Sequence, residues 1–348
     1  MKILIVKVSA LGDVVHALPV LTYLKSVDPA LEIDWLVERP FLPLLEGHPL
    51  LRRVLALDTK GWRNQGGLTP LREALSLVRQ LRREGYDLVL DLQGNCKSGL
   101  FTRLSGAPLR YGFDLDGARE WPNLLATNRR VVLTSEDHHV SDRSLAIART
   151  ALPGGDQTLT AGTLPVSAAA LARVEKHLQE LGLTAVPLVV LHYGTTWSTK
   201  LWPLDCWMAL AKNLVEQGIR PLLSWGNETE RLASQAIADA CAGQALLWPR
   251  GSLPELVALL SRADLVIGAD TGPVHMAAAV ETPTVSIYRV TDARRNGPRG
   301  ERHICLQSPL DCSPCLRKTC DQDDMCGRSI SVDSVIAASR KLLGETGA

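Results

Sequence analysis

An acidic residue, Asp13, follows the first apolar stretch of the chain, at a position where a carboxylate could do chemistry. It ends the loop Ser9-Ala10-Leu11-Gly12-Asp13, between a predicted strand and a predicted helix, and Gly12 permits close backbone approach to a ligand. A carboxylate facing a cleft could take a proton from an attacking hydroxyl. An Asp at a helix start also serves as a cap, and the residues leave both roles open. No G-x-G-x-x-G sequence follows the strand, which disfavours dinucleotide binding.

A similar strand, loop and helix start occurs in the second half, at Asp270-Thr271-Gly272-Pro273. Pro273 fits the first turn of a helix, because its missing N–H is not needed there. The N–H groups of such a helix start can bind a phosphate or diphosphate, with the Thr271 hydroxyl as a further donor. His275 follows one turn later, where a histidine is more often packed than bound to a ligand. The pattern predicts a strong helix start and a candidate anion site.

A third loop, 192–203, supplies hydroxyl groups and one cation: Thr195, Thr196 and Lys200. Hydroxyl donors and a compact positive charge could together hold an anion. Taken alone, the loop is more typical of a protein surface with a solvated lysine. Its place after a predicted strand, like that of Asp270, favours a shared site.

The segment Arg39 to Arg83 contains nine basic and three acidic residues, a net charge of +6. This excess suggests an anionic partner for the N-terminal half. Four of the arginines fall in the amphipathic stretch 71–83, where a solvated helix face explains them as well. Lys60 and Arg63 flank Trp62 in a predicted loop with Gly61, Gly66 and Gly67, where solvation explains them less well.

Other polar residues of the first half fall in predicted loops: Asp91, Gln93, Arg119, His139 and Arg143. Either arginine could bind a carboxylate or phosphate through two hydrogen bonds. Asp114-Leu115-Asp116 also spells D-x-D, a pattern associated with metal-bound sugar nucleotides. A three-letter match arises easily by chance, so we expect no metal there.

Four of the eight cysteines lie close together, at Cys312, Cys315, Cys320 and Cys326. Four thiols fit a structural zinc site or an iron–sulfur cluster by number, although the paired C-x-x-C knuckles of typical zinc sites are missing. Free thiols are the alternative, and the sequence leaves the three open.

Composition limits the class of protein. With 348 residues the chain exceeds the size of a single hydrophobic core, and two domains are expected. The net charge of +1 argues against a dedicated nucleic-acid binder. No run of 18 apolar residues occurs and no signal peptide is evident, so we expect a cytoplasmic protein with reduced thiols.

Short apolar runs alternate with helical patterns along both halves, which predicts an α/β fold with parallel sheets. In the first half we predict strands 3–8, 32–37 and 88–92 and helices 14–26 and 71–83. In the second half we predict strands 188–192, 221–224, 265–268 and 284–288, with helices 204–217, 229–241, 253–261 and 272–280. The alternation of strand and helix patterns is interrupted between Ala151 and Val166, a segment rich in glycine and proline. We therefore predict domains 1–160 and 161–330, followed by a helix and tail, 331–348.

Taken together, these segments resemble the lipopolysaccharide heptosyltransferases of glycosyltransferase family 9. The resemblance covers nearly the whole chain. It rests on residues 3–19, Asp34-Trp35-Leu36-Val37-Glu38, Asp91-Leu92-Gln93-Gly94 and 270–275. Within the family, the start of the chain and the region 60–63 are most similar to heptosyltransferase I.

The resemblance implies a GT-B architecture: two Rossmann-like parallel-sheet domains facing across a cleft, with ADP-heptose on the C-terminal one. It implies that Asp13 is the general base, that Lys200 assists departure of the diphosphate, and that a Kdo residue of lipid A is the acceptor. Donor-binding residues would be Thr195, Thr196, Lys200, Glu228, Asp270, Thr271, Gly272 and His275. Acceptor-binding residues would be Lys7, Lys60, Arg63, Asp91, Gln93, Arg119, His139 and Arg143.

The family pattern requires no metal for catalysis and places the enzyme at the inner face of the inner membrane. The alternatives are a later-acting heptosyltransferase, II or III, and a thiol-metal interaction protein on a degenerate transferase scaffold. A nicotinamide oxidoreductase is disfavoured by the missing glycine fingerprint.

Overall fold

The computed structural model describes residues 1–64, 67, 69–184 and 186–344, and it divides the chain into two compact units. The N-terminal unit is Met1–Pro165 and the C-terminal unit is Val166–Ala348. The division lies five residues beyond the end of the predicted first domain. A hydrogen bond beyond residue 160 ties this segment to the N-terminal unit: the Nε2 of His48 lies 3.1 Å from the Thr163 carbonyl oxygen.

The N-terminal unit is built on a six-stranded parallel sheet, in the order β3-β2-β1-β4-β5-β6. Its strands are β1 (Lys2–Val6), β2 (Glu32–Glu38), β3 (Arg53–Leu57), β4 (Leu88–Asp91), β5 (Leu109–Phe113) and β6 (Arg129–Val131). Val6 pairs with Leu36 on one side and with Asp91 on the other. The loops after β1, β2 and β4 therefore leave the sheet at one edge.

The helices of this unit cover the sheet. They are α1 (Leu11–Val15), α2 (Pro19–Val27), α3 (Leu42–Leu45), α4 (Thr59–Asn64), α5 (Thr69–Glu84), α6 (Cys96–Leu104) and α7 (Val140–Ala151), with short 3-10 helices at Arg39–Phe41 and Trp121–Leu125. The single helix predicted over 14–26 is two helices, because Pro19 lacks an N–H and instead begins α2. The predicted loop around Trp62 is the helix α4, and Gly66 lies outside the described residues.

The C-terminal unit repeats this design, with a six-stranded parallel sheet in the order β12-β11-β10-β7-β8-β9. Its strands are β7 (Val189–His192), β8 (Leu222–Ser224), β9 (Leu246–Leu247), β10 (Leu265–Ala269), β11 (Thr284–Tyr288) and β12 (His303–Gln307). Gly268 pairs with His192, so the loops after β7 and β10 emerge side by side.

The helices of the C-terminal unit are α8 (Ala168–Glu180), α9 (Leu204–Glu216), α10 (Glu228–Asp239), α11 (Leu253–Arg262), α12 (Gly272–Ala279), α13 (Ala293–Asn296), α14 (Asp323–Arg328) and α15 (Val332–Leu343), with a 3-10 helix at Ser198–Lys200. The last helix packs on α9, and its Val335 enters the same core as Trp202 and Trp207. It is therefore part of the C-terminal unit. Among the described residues, no helix combines the length and apolar character needed to span a membrane.

Candidate functional site

Asp13 lies in the first turn of α1, where it does more than cap the helix. Its Oδ2 accepts a hydrogen bond from the Ala10 N–H (3.2 Å) and lies 3.4 Å from the Nη1 of Arg119. The side chain remains 25% exposed. The carboxylate is therefore held in place and still reachable from solvent, as a general base requires.

The loop that carries Asp13 is held by Gln93, at the end of the neighbouring strand β4. The Oε1 of Gln93 accepts hydrogen bonds from the N–H groups of Val8 (3.0 Å) and Ser9 (3.1 Å). Gln93 is almost fully buried, and within the described residues its Nε2 has no partner. Gln93 therefore positions the loop through its Oε1, and its predicted role in binding the acceptor stays a prediction.

Asp91 is also buried, and its predicted role as an acceptor contact stays a prediction. Its Oδ1 accepts from the N–H groups of Gln93 and Gly94, both at 3.0 Å, and its Oδ2 accepts from the amide of Asn123 (2.7 Å) and the hydroxyl of Thr102 (3.1 Å). Burial raises the pKa of Asp91 above its usual value, against these hydrogen bonds. The side chain shapes the loop after β4.

Lys7 lies at the centre of a group of charges near Asp13. Its Nζ donates to the Leu92 carbonyl (2.9 Å), and burial lowers its pKa below the usual lysine value. The charges of Asp13, Arg119, Asp91 and Arg143 also act on this amine. Lys7 and Arg119 thus place cationic groups near the candidate base, and Arg143 lies close enough to act on Lys7.

The other predicted acceptor residues are placed differently. Arg143 donates to the Gly117 carbonyl (3.0 Å) and stacks over the ring of Phe113. His139 is buried as the N-cap of α7, where its Nδ1 accepts from the Ser141 N–H (3.2 Å). Its predicted acceptor contact stays a prediction. Two exposed cations, Lys60 and Arg63, lie on α4, the helix that follows β3.

In the C-terminal unit, Asp270 joins three of the predicted donor residues. Its Oδ2 accepts from the Nζ of Lys200 (2.7 Å), and its Oδ1 lies 3.2 Å from the Nε2 of His275. The Thr195 hydroxyl donates to the backbone carbonyl of Asp270 (3.3 Å). Burial alone would raise the pKa of Asp270, but the hydrogen bond from His275 and the charge of Lys200 outweigh it and hold the pKa well below its usual range.

The start of α12 is open beside this cluster. Its N-cap residue, Thr271, makes no side-chain capping hydrogen bond, and Gly272 and Pro273 follow. The first N–H groups of a helix have no partner within the helix, and they carry a partial positive charge. Lys200 and this helix start therefore suit a diphosphate. Thr196 is exposed on the loop after β7.

Glu228, the predicted ribose contact, is engaged with a side chain of its own helix. It is exposed on α10 and forms an ion pair with Arg231 (2.7 Å) on the same helix. Glu230, two residues later, instead holds the loop after β8: its Oε2 accepts from the Gly226 N–H and its Oε1 from the Asn227 amide, both at 2.7 Å. Sequence reasoning missed Glu230, although its spacing of three residues from Asn227 is that of an N-cap pair.

Sequence reasoning also missed Lys318, which belongs to the cysteine-rich segment. The amines of Lys318 and Lys200 lie 5.2 Å and 5.0 Å from the ring centre of Trp197. The Thr199 hydroxyl donates to the Arg317 carbonyl (2.7 Å). The segment therefore packs against the loop that carries Lys200.

The predicted metal ligands do not gather. Within the described ranges, no group of three or more His, Cys, Asp or Glu side chains is placed to hold a metal ion. This corrects the proposed site at Cys312, Cys315, Cys320 and Cys326, which are free thiols. Asp114 instead accepts from the Gly117 N–H (2.9 Å) and closes a turn.

Two Rossmann-like units in one chain, the second with a cation and an open helix start suited to a diphosphate, define a glycosyltransferase of the GT-B class. Residues 74–325 match the model of Glycosyltransferase family 9 (heptosyltransferase). The chain belongs to glycosyltransferase family 9.

Curated relatives agree with this assignment. The chain is 35% identical to lipopolysaccharide heptosyltransferase 1 of Pseudomonas aeruginosa, over 92% of this chain and 87% of the relative. It is 32% identical to lipopolysaccharide heptosyltransferase 1 of Escherichia coli K12, over 89% and 95% of the two chains. Among solved structures, E. coli heptosyltransferase WaaC with ADP is 27% identical, with a TM-score of 0.79 over 99% of this chain and all of that one.

Proposed function

We propose that this protein transfers L-glycero-D-manno-heptose from ADP-heptose to a Kdo residue of lipid A, in synthesis of the lipopolysaccharide inner core. The observation that carries the proposal is the cluster of Lys200, Asp270 and His275 beside the open start of α12. Two similar solved structures, of E. coli WaaC, contain ADP and ADP-2-deoxy-2-fluoro heptose. The curated relatives described above are both named lipopolysaccharide heptosyltransferase 1.

The donor is held through its ADP group. Thr195, Thr196, Lys200 and the N–H groups of α12 bind the diphosphate, with Thr271 and Gly272 at the helix start. Glu230 lies in the first turn of α10 and accepts a hydrogen bond from the loop after β8, a position where a carboxylate can accept hydrogen bonds from ribose hydroxyls. Asp270 and His275 keep Lys200 in position from within the unit.

The reaction is a direct displacement with inversion at the anomeric carbon. Asp13 takes the proton of a Kdo hydroxyl as that oxygen attacks the carbon. The bond from the anomeric carbon to the diphosphate oxygen breaks, and ADP leaves with both electrons of that bond. Lys200 and the partial positive charge at the start of α12 stabilise the negative charge that develops on ADP.

The acceptor is anionic, and the cations around Asp13 suit it. Kdo carries a carboxylate and lipid A carries phosphates, which Lys7, Lys60, Arg63, Arg119 and Arg143 would bind. Because this acceptor is a lipid of the inner membrane, we place the enzyme at the inner face of that membrane.

An assay with defined acceptors tests the proposal. The purified protein is incubated with ADP-heptose, Kdo-bearing lipid A and EDTA, and ADP release is followed with the mass of the lipid. Addition of one heptose supports the proposal and shows that no chelatable metal is needed. Transfer only to an acceptor that already carries heptose would instead indicate a later-acting member of the family, and activity restored by Mg²⁺ would overturn the metal-free mechanism.

A further inference from the structure

A second surface of the N-terminal unit combines exposed apolar side chains with arginines. It comprises α5, α6 and the 3-10 helix Trp121–Leu125, and we call it the α5–α6 face. Large apolar side chains are unusually exposed there, among them Trp121 (66%) and Leu125 (73%). The exposed apolar residues of this face are Leu71, Leu75, Leu100, Trp121 and Leu125. Grouped exposure of this kind marks an interaction site.

The three elements form one continuous surface. Helix α5 packs against α6, and α6 packs against the 3-10 helix. The Nε of Arg82 on α5 donates to the Leu104 carbonyl at the end of α6 (3.0 Å). The Nη2 of Arg130 donates to the Leu124 carbonyl (3.2 Å), which joins the edge strand β6 to the same surface.

The face carries a strong positive charge. Its exposed arginines are Arg72, Arg79, Arg82, Arg83, Arg103 and Arg130. The nearby acids are engaged with groups of their own: Glu73 accepts from the Trp62 indole, Glu84 pairs with Arg53, and Glu120 accepts from the Cys96 N–H. Throughout the part of the chain that the structure describes, none of the six arginines forms an ion pair.

On α5 the two kinds of side chain share one side of the helix. The spacing along α5 is close to whole helical turns for Leu71, Leu75 and Arg82, so these side chains lie on the same side of the helix. Arg72 and Arg79 lie next to that side. Leu77 and Leu81 point the other way, into the core. Leucines interleaved with arginines on the exposed side of a helix are typical of helices that lie at a bilayer surface. Tryptophan is enriched at the same membrane–water interface.

We propose that the α5–α6 face docks on the surface of a bilayer that contains anionic phospholipids. The arginines bind the lipid phosphates, and the leucines and Trp121 insert among the headgroups. Anionic lipids fit this face because they complement its charge, whereas a soluble anion would leave the exposed apolar side chains unburied. The face lies outside the residues assigned to either substrate, so the inference does not depend on the proposed reaction.

Vesicle flotation without substrates tests the inference. The protein should bind vesicles of phosphatidylglycerol and phosphatidylethanolamine, bind phosphatidylcholine vesicles poorly, and dissociate as salt is raised. The double variant Arg79→Glu/Arg83→Glu should lower the affinity at least about tenfold. Its matched control is Arg294→Glu/Arg295→Glu, which makes the same change of charge on exposed residues of the C-terminal unit.

Apolar substitutions give a second, independent measurement. Trp121→Ser/Leu125→Ser should weaken binding, whereas Leu232→Ser/Leu316→Ser on the C-terminal unit should not. Thermal melting and ADP binding establish that each variant is folded. The inference is overturned if the wild type does not prefer anionic vesicles, if both control variants lose binding equally, or if the face variants separate a dimer without changing vesicle affinity.

Discussion

A Cβ atom built on Gly194 would lie 2.1 Å from the Cδ of Glu230, which is closer than two carbon atoms that are not bonded can approach. Gly194 belongs to the loop after β7 and Glu230 to the helix after β8, so the carboxylate fills the space between the two loops. Burial lowers the pKa of His192, at the end of β7, and the negative charge of Glu230 opposes that shift. The absence of a side chain at Gly194 is therefore what allows Glu230 to reach this loop.

Gly194→Ala should displace Glu230 and weaken binding of ADP-heptose about as much as loss of the carboxylate itself, roughly tenfold. The double variant Gly194→Ala/Glu230→Ala provides the control, because the two residues act at one place. Isothermal titration with ADP-heptose should show that the double variant is little worse than Glu230→Ala. Fully additive losses would mean that the two residues are independent.

The two nearby glutamates should differ in their effect on the donor. Glu230→Gln should raise the Kd for ADP-heptose about tenfold, because a neutral amide replaces a charged acceptor. Glu228→Gln should leave it unchanged, since that carboxylate is exposed and paired with Arg231. The reverse result in the same titration would restore Glu228 as the donor contact.

Asp13→Asn should lower kcat by roughly 100- to 10,000-fold, because an amide cannot accept the proton of the attacking hydroxyl. Affinity for ADP-heptose should remain close to that of the wild type, since Asp13 is assigned to the acceptor. Rapid-quench turnover and donor titration separate the two effects. A variant with full turnover would show that another group is the base.

Lys200→Ala should weaken ADP-heptose binding and slow the chemical step, because the amine is assigned to the departing diphosphate. Lys212→Ala is a suitable control, since Lys212 is exposed on α9. Single-turnover rates with saturating donor measure the chemical step directly. Unchanged rates and affinity would make Lys200 a structural partner of Asp270 only.

Acidification should remove the stability that Asp270 contributes. Its pKa in the folded protein is depressed, so the ionised form favours the native state. The contribution is present above the unfolded pKa of about 4 and is lost as the pH falls below it. The difference in free energy of unfolding between wild type and Asp270→Asn should thus shrink below about pH 4. Urea denaturation at several pH values measures this difference, and Asp239→Asn, at an exposed position, is the control. A difference that grows as the pH falls would contradict a depressed pKa for Asp270.

The sequence predicted every interior strand of the two sheets except β5, and none of the edge strands. The predicted strands include β1, β2 and β4 in one sheet and β7, β8, β10 and β11 in the other, all at the centre. The missed strands are β3, β5, β6, β9 and β12. Central strands of a parallel sheet are buried on both faces and read as apolar runs, whereas β6 and β12 are only partly buried and lack that pattern.

The sequence predicted which loops carry the site residues, but not the direction in which each side chain points. Sequence position placed Lys200 and Asp270 on neighbouring loops, and the structure joins them by an ion pair. The same reasoning did not show that Glu228 pairs with Arg231 or that Asp91 is buried against backbone N–H groups. Sequence position does not show which side of a helix faces a site. Nor does it show which carboxylate will be buried and hydrogen-bonded by backbone N–H groups.

Helix α12 differs from α1 in how firmly its binding end is fixed. Six of its eight residues are buried: Pro273, Val274, His275, Met276, Ala277 and Ala279. Its N–H groups are therefore preorganised, since the entropy of ordering them is lost when the chain folds and not when the donor binds.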